Sequence, residues 1–86
     1  MEVIFTKPFR KAMSKLTLRQ REAVGKALEQ FKTDRAAPSL QDHALKGAMK
    51  SLRSFSAAHD LRIIYREKGG FITVVLIDVG THNQVY

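Results

Sequence analysis

The last third of the chain carries its clearest hydrophobic pattern. Leu61, Ile63 and Tyr65 alternate with Arg62, Ile64 and Arg66, the period-2 signature of a strand. Gly69-Gly70 supplies a turn that accepts positive φ. Phe71 to Val79 is the most apolar run and is rich in β-branched residues. Ile72, Val74 and Leu76 fall on one face of that run, and Phe71, Val75 and Ile77 on the other. A strand apolar on both faces is expected inside its sheet rather than at an edge. Gly80 ends the strand, and Thr81 to Tyr86 reads as a short polar tail.

The first third reads as helical. Glu2 to Phe5 is a short apolar run that predicts an edge strand. Thr6 can cap a helix, and Pro8 suits its first turn. Phe9, Met13 and Leu16 are spaced as one face of a short helix, with Arg10, Lys11 and Lys15 on the other side. Thr17 and Gln20 have capping-box spacing, and Val24, Ala27, Leu28 and Phe31 then repeat at helical intervals. Only Lys15 to Thr17 separates the two patterns, so the helices should form a hairpin. Gly25 costs its helix about 1 kcal/mol relative to alanine, which suggests close packing against the neighbouring helix.

Asp34 to Ser39, with Pro38, breaks the second helix. Leu40 to Ser51 has weak periodicity and reads as loop with a helical turn. Leu52 to Ala58 is extended, with Leu52 and Ser54 set against Arg53 and Phe55. It forms the first strand of a three-stranded antiparallel meander, and Ala57 to Asp60 make its turn. The predicted order is β-α-α-β-β-β in a single domain spanning residues 1–86. The fold class is α+β: an N-terminal strand and a two-helix hairpin on a small antiparallel sheet. The helices cover one sheet face. The other is expected to stay open, with Arg53, Arg62 and the tail converging on it.

Composition adds two constraints. The chain is 44% hydrophobic and 27% charged, as expected of a soluble globular protein, and no run approaches a membrane span. The N-terminal segment lacks the apolar stretch of a signal peptide. There is no cysteine, which excludes a disulfide framework and thiolate metal sites and fits a cytoplasmic location. A net charge of +7 points to an anionic partner.

All three histidines, His43, His59 and His82, fall in the second half, each in a predicted loop, turn or strand end. Histidine is the usual acid or base near neutral pH. No metal-ligand spacing, P-loop, Rossmann glycine pattern or nucleophilic serine motif accompanies them, and no cofactor is expected. Lys46, Lys50, Arg53, Arg62 and Arg66 make the same region basic. Such a surface suits metal-independent RNA cleavage. The RNA's 2′-OH attacks, one group removes its proton, another protonates the leaving 5′-oxygen, and cations stabilise the phosphorane.

The ordered set His43-Ala44-Leu45-Lys46-Gly47, Arg53, Asp60 to Tyr65 and Gly80-Thr81-His82 resembles the RelE/ParE superfamily of type II toxins, most closely its YafQ-like branch. The resemblance implies a ribosome-dependent mRNA endonuclease that inhibits translation. It also implies a cognate antitoxin, acidic and partly disordered. By position it makes His82, which ends G-T-H, an acid/base candidate. His43 of H-x-L-x-G, Asp60 and Tyr86 join it, and Lys46, Lys50, Arg53 and Arg62 would hold RNA. Ser56 stands where close relatives carry histidine, with His59 as a nearby substitute, and Leu61 stands where they often carry tryptophan. Two alternatives use other chemistry: a ParE-like inhibitor of DNA gyrase, or a non-catalytic basic domain that binds RNA or protein.

Overall fold

The computed structural model describes residues 1–70 and 72–86. Phe71, expected to open a strand, lies outside the described residues. The chain runs β1 (Glu2–Phe5), α1 (Lys7–Ser14), α2 (Leu18–Thr33), β2 (His43–Ala44), β3 (Arg53–Ala58), β4 (Leu61–Lys68), β5 (Thr73–Gly80) and α3 (His82–Val85). Single 3₁₀ turns at Pro38–Leu40 and Gly47–Met49 flank β2. The sheet order is β1-β5-β4-β3-β2. β5 is interior as expected, parallel to β1 and antiparallel to β4.

Both predicted N-caps form. The Thr6 side chain accepts from Phe9 N at 3.3 Å and donates to the Leu76 carbonyl at 2.7 Å, tying the start of α1 to β5. Thr17 and Gln20 exchange both capping-box bonds, at 2.9 and 3.1 Å. The apolar stripes of α1 and α2 then reach one face of the sheet. Phe9, Val24, Ala27, Leu28 and Phe31 share a buried cluster with Phe55, Leu61, Ile63, Tyr65, Val74, Leu76 and Val79. Phe31 stacks on Phe55 at 4.5 Å and meets Tyr65 edge-on at 5.2 Å. Each such ring pair adds roughly 1 kcal/mol beyond burial.

Leu76 and Val79 are three residues apart yet face the same helices. The reason is a register shift: Ile64 pairs with Asp78 and Tyr65 with Leu76, so Ile77 is an extra residue in β5. Ile77 is accordingly only half-buried rather than aligned with Val75.

Four other expectations are corrected. Ile72 does not face the core: it closes the turn, its N–H bonded to the Gly69 carbonyl, and it is 71% exposed. Gly69 and Gly70, both at φ 60°, make that turn. Gly25 is not a packing contact, since nothing lies within 4 Å of where a Cβ would stand and the residue faces solvent. The 40–51 segment contains a short fifth strand, β2, whose two residues are too few to show a period. Finally, Thr81 to Tyr86 is not a loose tail. Gln84 Oε1 accepts from Thr81 N at 2.8 Å, α3 turns back, and Val85 is buried.

Candidate active site

The face opposite α1 and α2 carries Ser54, Ser56, Arg62, Ile64 and Gly80. Register sets this, because Ser54 pairs with Ile64, and Ser56 and Gly80 pair with Arg62. α3 folds onto this face over Gly80. A Cβ at Gly80 would stand 2.7 Å from Gln84 Oε1 and 3.3 Å from Val85 Cγ1, so a larger residue there would push the Gln84 side chain off its cap and crowd the helix. The open face is therefore partly covered, and its cover carries His82 and Tyr86.

The β3–β4 turn meets α3 from below. Asp60 adopts φ 56°, a left-handed conformation that aspartate tolerates better than most residues. Its Oδ1 accepts from His82 N at 3.2 Å. The His82 ring in turn meets the Tyr86 ring edge-on, with centroids 4.5 Å apart, one helical turn along. The Tyr86 hydroxyl donates to Ser54 Oγ at 2.6 Å. Ser54 is fully buried and pairs across the sheet with His43. A path of contacts thus runs Asp60, His82, Tyr86, Ser54, and strand register sets His43 beside Ser54. Both histidines, His82 and His43, are exposed.

His43 Nδ1 lies 2.7 Å from the Gln41 carbonyl. A carbonyl can only accept, so Nδ1 carries the proton and neutral His43 keeps a free lone pair on Nε2. Arg62 is half-buried beside the path. Its Nη1 donates to Ser56 Oγ at 3.2 Å and to the Ala58 carbonyl at 3.3 Å, while Ser56 Oγ donates to the same carbonyl at 3.1 Å. Ser56 therefore orients Arg62. Among the described residues these bonds leave Nε and Nη2 of the guanidinium for an anion.

Four expected site residues lie elsewhere. His59 lines a groove with Ala23, Lys26, Ala27 and Gln30 of α2. Lys46 and Lys50 are exposed on the loop between β2 and β3. Arg53 does not join the open face. It pairs with Tyr65 and shares strand parity with Phe55, so it points to the helix side. There it binds Asp42 through Nη2 at 3.1 Å and Tyr65 Oη through Nε at 3.0 Å. Tyr65 Oη donates to Asp42 Oδ1 at 2.5 Å, and Arg35 Nε meets Asp42 Oδ2 at 2.9 Å. Burial pushes the Tyr65 phenol well above its ordinary value, and its bond to Asp42 adds to the rise. Burial alone lowers the Arg53 pKa, but hydrogen bonds to Asp42 and Tyr65 outweigh it and the net shift is upward. This cluster holds the segment that presents His43.

Sequence reasoning missed Ser54 and the Asp42 hub. Thr81-x-x-Gln84 repeats the spacing of Thr17-x-x-Gln20, and that signal announces α3. Among the described residues no group of three or more His, Asp or Glu side chains could hold a metal, and no helix is long and apolar enough to cross a membrane.

The strand and two helices on a five-stranded sheet, with a histidine-bearing C-terminal helix folded over the open face, define a RelE-like toxin fold. The whole chain, residues 1–86, matches the family described as bacterial toxin of type II toxin-antitoxin system, YafQ, and the chain belongs to that family. No curated protein matches it. Among solved structures it is similar to a copper-bound mutant toxin from Helicobacter pylori, with 26% identity, TM-score 0.81, and 100% and 99% of the two chains covered. It is also similar in fold to YafQ from E. coli, at 15% identity and TM-score 0.80, covering 99% and 97%. A third similar fold occurs in the toxin-antitoxin complex RelBE2 from Mycobacterium tuberculosis, at 23% identity and TM-score 0.67, covering 94% and 96%.

Proposed function

We propose that this toxin is a ribosome-dependent endonuclease that cuts mRNA through attack of the RNA's own 2′-OH. The observation that carries the reading is the convergence of His82, Asp60, Tyr86, Arg62 and His43 on one sheet face, built around Ser54. His43, with a free Nε2 lone pair when neutral, removes the 2′-OH proton. Protonated His82 delivers a proton to the leaving 5′-oxygen. Arg62, oriented by Ser56, stabilises the charged phosphorane. Asp60 holds the start of α3 and so sets where the His82 ring can stand. The products are a 2′,3′-cyclic phosphate and a free 5′-OH, which balances the two proton transfers. Lys46 and Lys50, exposed beyond His43, contact the backbone of mRNA or ribosomal RNA.

The partner follows from the family and from charge. A cognate antitoxin with an acidic, partly disordered segment laid over this basic face would neutralise the +7 charge and cover His82. Its affinity should fall as salt rises, and salt-insensitive association would point to an apolar contact instead.

The test is a primer-extension map of a reporter mRNA in a translation extract. Wild-type protein should give discrete cuts in frame with codons, only on translating ribosomes, and folded His82→Ala should give none. Intact mRNA with wild-type protein would overturn the reading.

A further inference from the structure

We propose that Ser54 is a positioning residue for His82, acting through the hydroxyl and ring of Tyr86. The inference rests on the reading of His82 as the acid of RNA cleavage. Among the described residues Ser54 and Tyr65 are the fully buried side chains that carry a hydroxyl, and Ser54, unlike Tyr65, lies outside the cluster that α1 and α2 cover. A buried hydroxyl among apolar neighbours is unfavourable unless it is hydrogen-bonded. Its partner comes from the opposite end of the site: Tyr86 Oη, at 2.6 Å, from a residue whose side is otherwise 42% exposed. The bond pins the tip of the Tyr86 side chain to β3, an interior strand of the sheet.

The consequence falls on His82. Its imidazole meets the Tyr86 ring edge-on at 4.5 Å, one turn back along a helix of only four residues. So short a helix has little stability of its own and depends on its contacts with the sheet. With Tyr86 tethered, one wall of the His82 ring is fixed. The Tyr86 hydroxyl is spent as a donor to Ser54, so Tyr86 works through its ring and does not itself supply the proton. Ser54 also pairs in backbone register with His43, which places both histidines on the same side of the sheet. Orientation at this level matters, because a misplacement of about 1 Å in a reacting group can cost on the order of 100-fold in rate.

The experiment uses the full chain with Ser54→Ala, Tyr86→Phe and the double variant, each checked for an intact backbone NMR spectrum. Tyr86→Phe removes the same bond from the exposed end, so it serves if Ser54→Ala disturbs the sheet. The first readout is the chemical shift of the His82 imidazole protons, which feel the Tyr86 ring current. Both single variants should move these signals by similar amounts towards those of an unrestrained histidine. Cleavage on translating ribosomes should lose about tenfold in kcat with KM unchanged, and the double variant should be no worse than either single one. His82 signals that stay in place in both variants would overturn the tether. Should wild-type protein leave RNA intact, the nuclease reading fails, and the imidazole shifts still decide whether Ser54 positions His82.

Discussion

Asp42→Ala should destabilise the fold more than any surface substitution, and the structure sets the size. The Asp42 side chain is 6% exposed and holds Tyr65 Oη at 2.5 Å, Arg53 Nη2 at 3.1 Å and Arg35 Nε at 2.9 Å. The tyrosine bond to a charged acceptor is worth about 2 kcal/mol. The Arg53 pair, at 23% exposure, adds about 1 kcal/mol, because the arginine left behind is largely but not fully desolvated. Arg35 is 38% exposed, so water replaces most of what it loses and it adds only a few tenths of a kcal/mol. The sum is about 3 kcal/mol. At roughly 4–8 °C per kcal/mol for a domain of this size, the melting temperature should fall by roughly 12–24 °C. Urea unfolding at neutral pH measures it directly. Combining Asp42→Ala with Tyr65→Phe should give a coupling energy of about 1–2 kcal/mol. An Asp42→Ala loss under about 0.5 kcal/mol, or strict additivity with Tyr65→Phe, would refute the hub.

Three further expectations follow from the same geometry. The Tyr65 phenol is raised in the folded state, so its contribution is fully present below the unfolded value near pH 10 and is lost as pH rises beyond it; the stability gap between wild type and Tyr65→Phe should therefore be constant from pH 7 to 9 and narrow above pH 10 in urea titrations. Gly80→Ala places a Cβ 2.7 Å from Gln84 Oε1, the acceptor that caps α3, so it should cost about 1–2 kcal/mol and reduce toxicity by more than that loss accounts for, read by growth arrest beside a thermal melt. Arg62→Lys keeps the charge but loses the Nε and Nη2 donors that stand ready for an anion while Nη1 bonds Ser56 and Ala58, so RNA cleavage should fall about tenfold or more while Ser56→Ala, which removes one of the two Nη1 bonds, falls less.

Much of the scaffold is legible in the sequence because its signals are local. Thr17-x-x-Gln20, the Val24 to Phe31 stripe and the Gly69-Gly70 turn each state their own conformation. The site is less legible because it depends on register. Arg53 and Arg62 look alike in sequence, yet strand parity sends one to the helix side and the other to the open face. Ser54 has no sequence signal, since its role comes from a residue 32 positions away. Two-residue β2 and four-residue α3 are too short for periodicity, although the Thr81–Gln84 spacing marks the latter. Ser56 has a defined use here as the bracket of Arg62.

The most direct test of cleavage by 2′-OH attack is a single-atom change in the substrate. A reporter mRNA carrying one 2′-deoxynucleotide immediately 5′ of the mapped scissile phosphate is incubated with wild-type toxin and translating ribosomes. The cut should vanish at that position and persist at unmodified sites, with 2′,3′-cyclic phosphate ends at the latter. Undiminished cutting at the 2′-deoxy position would contradict the mechanism assigned to His43, His82 and Arg62.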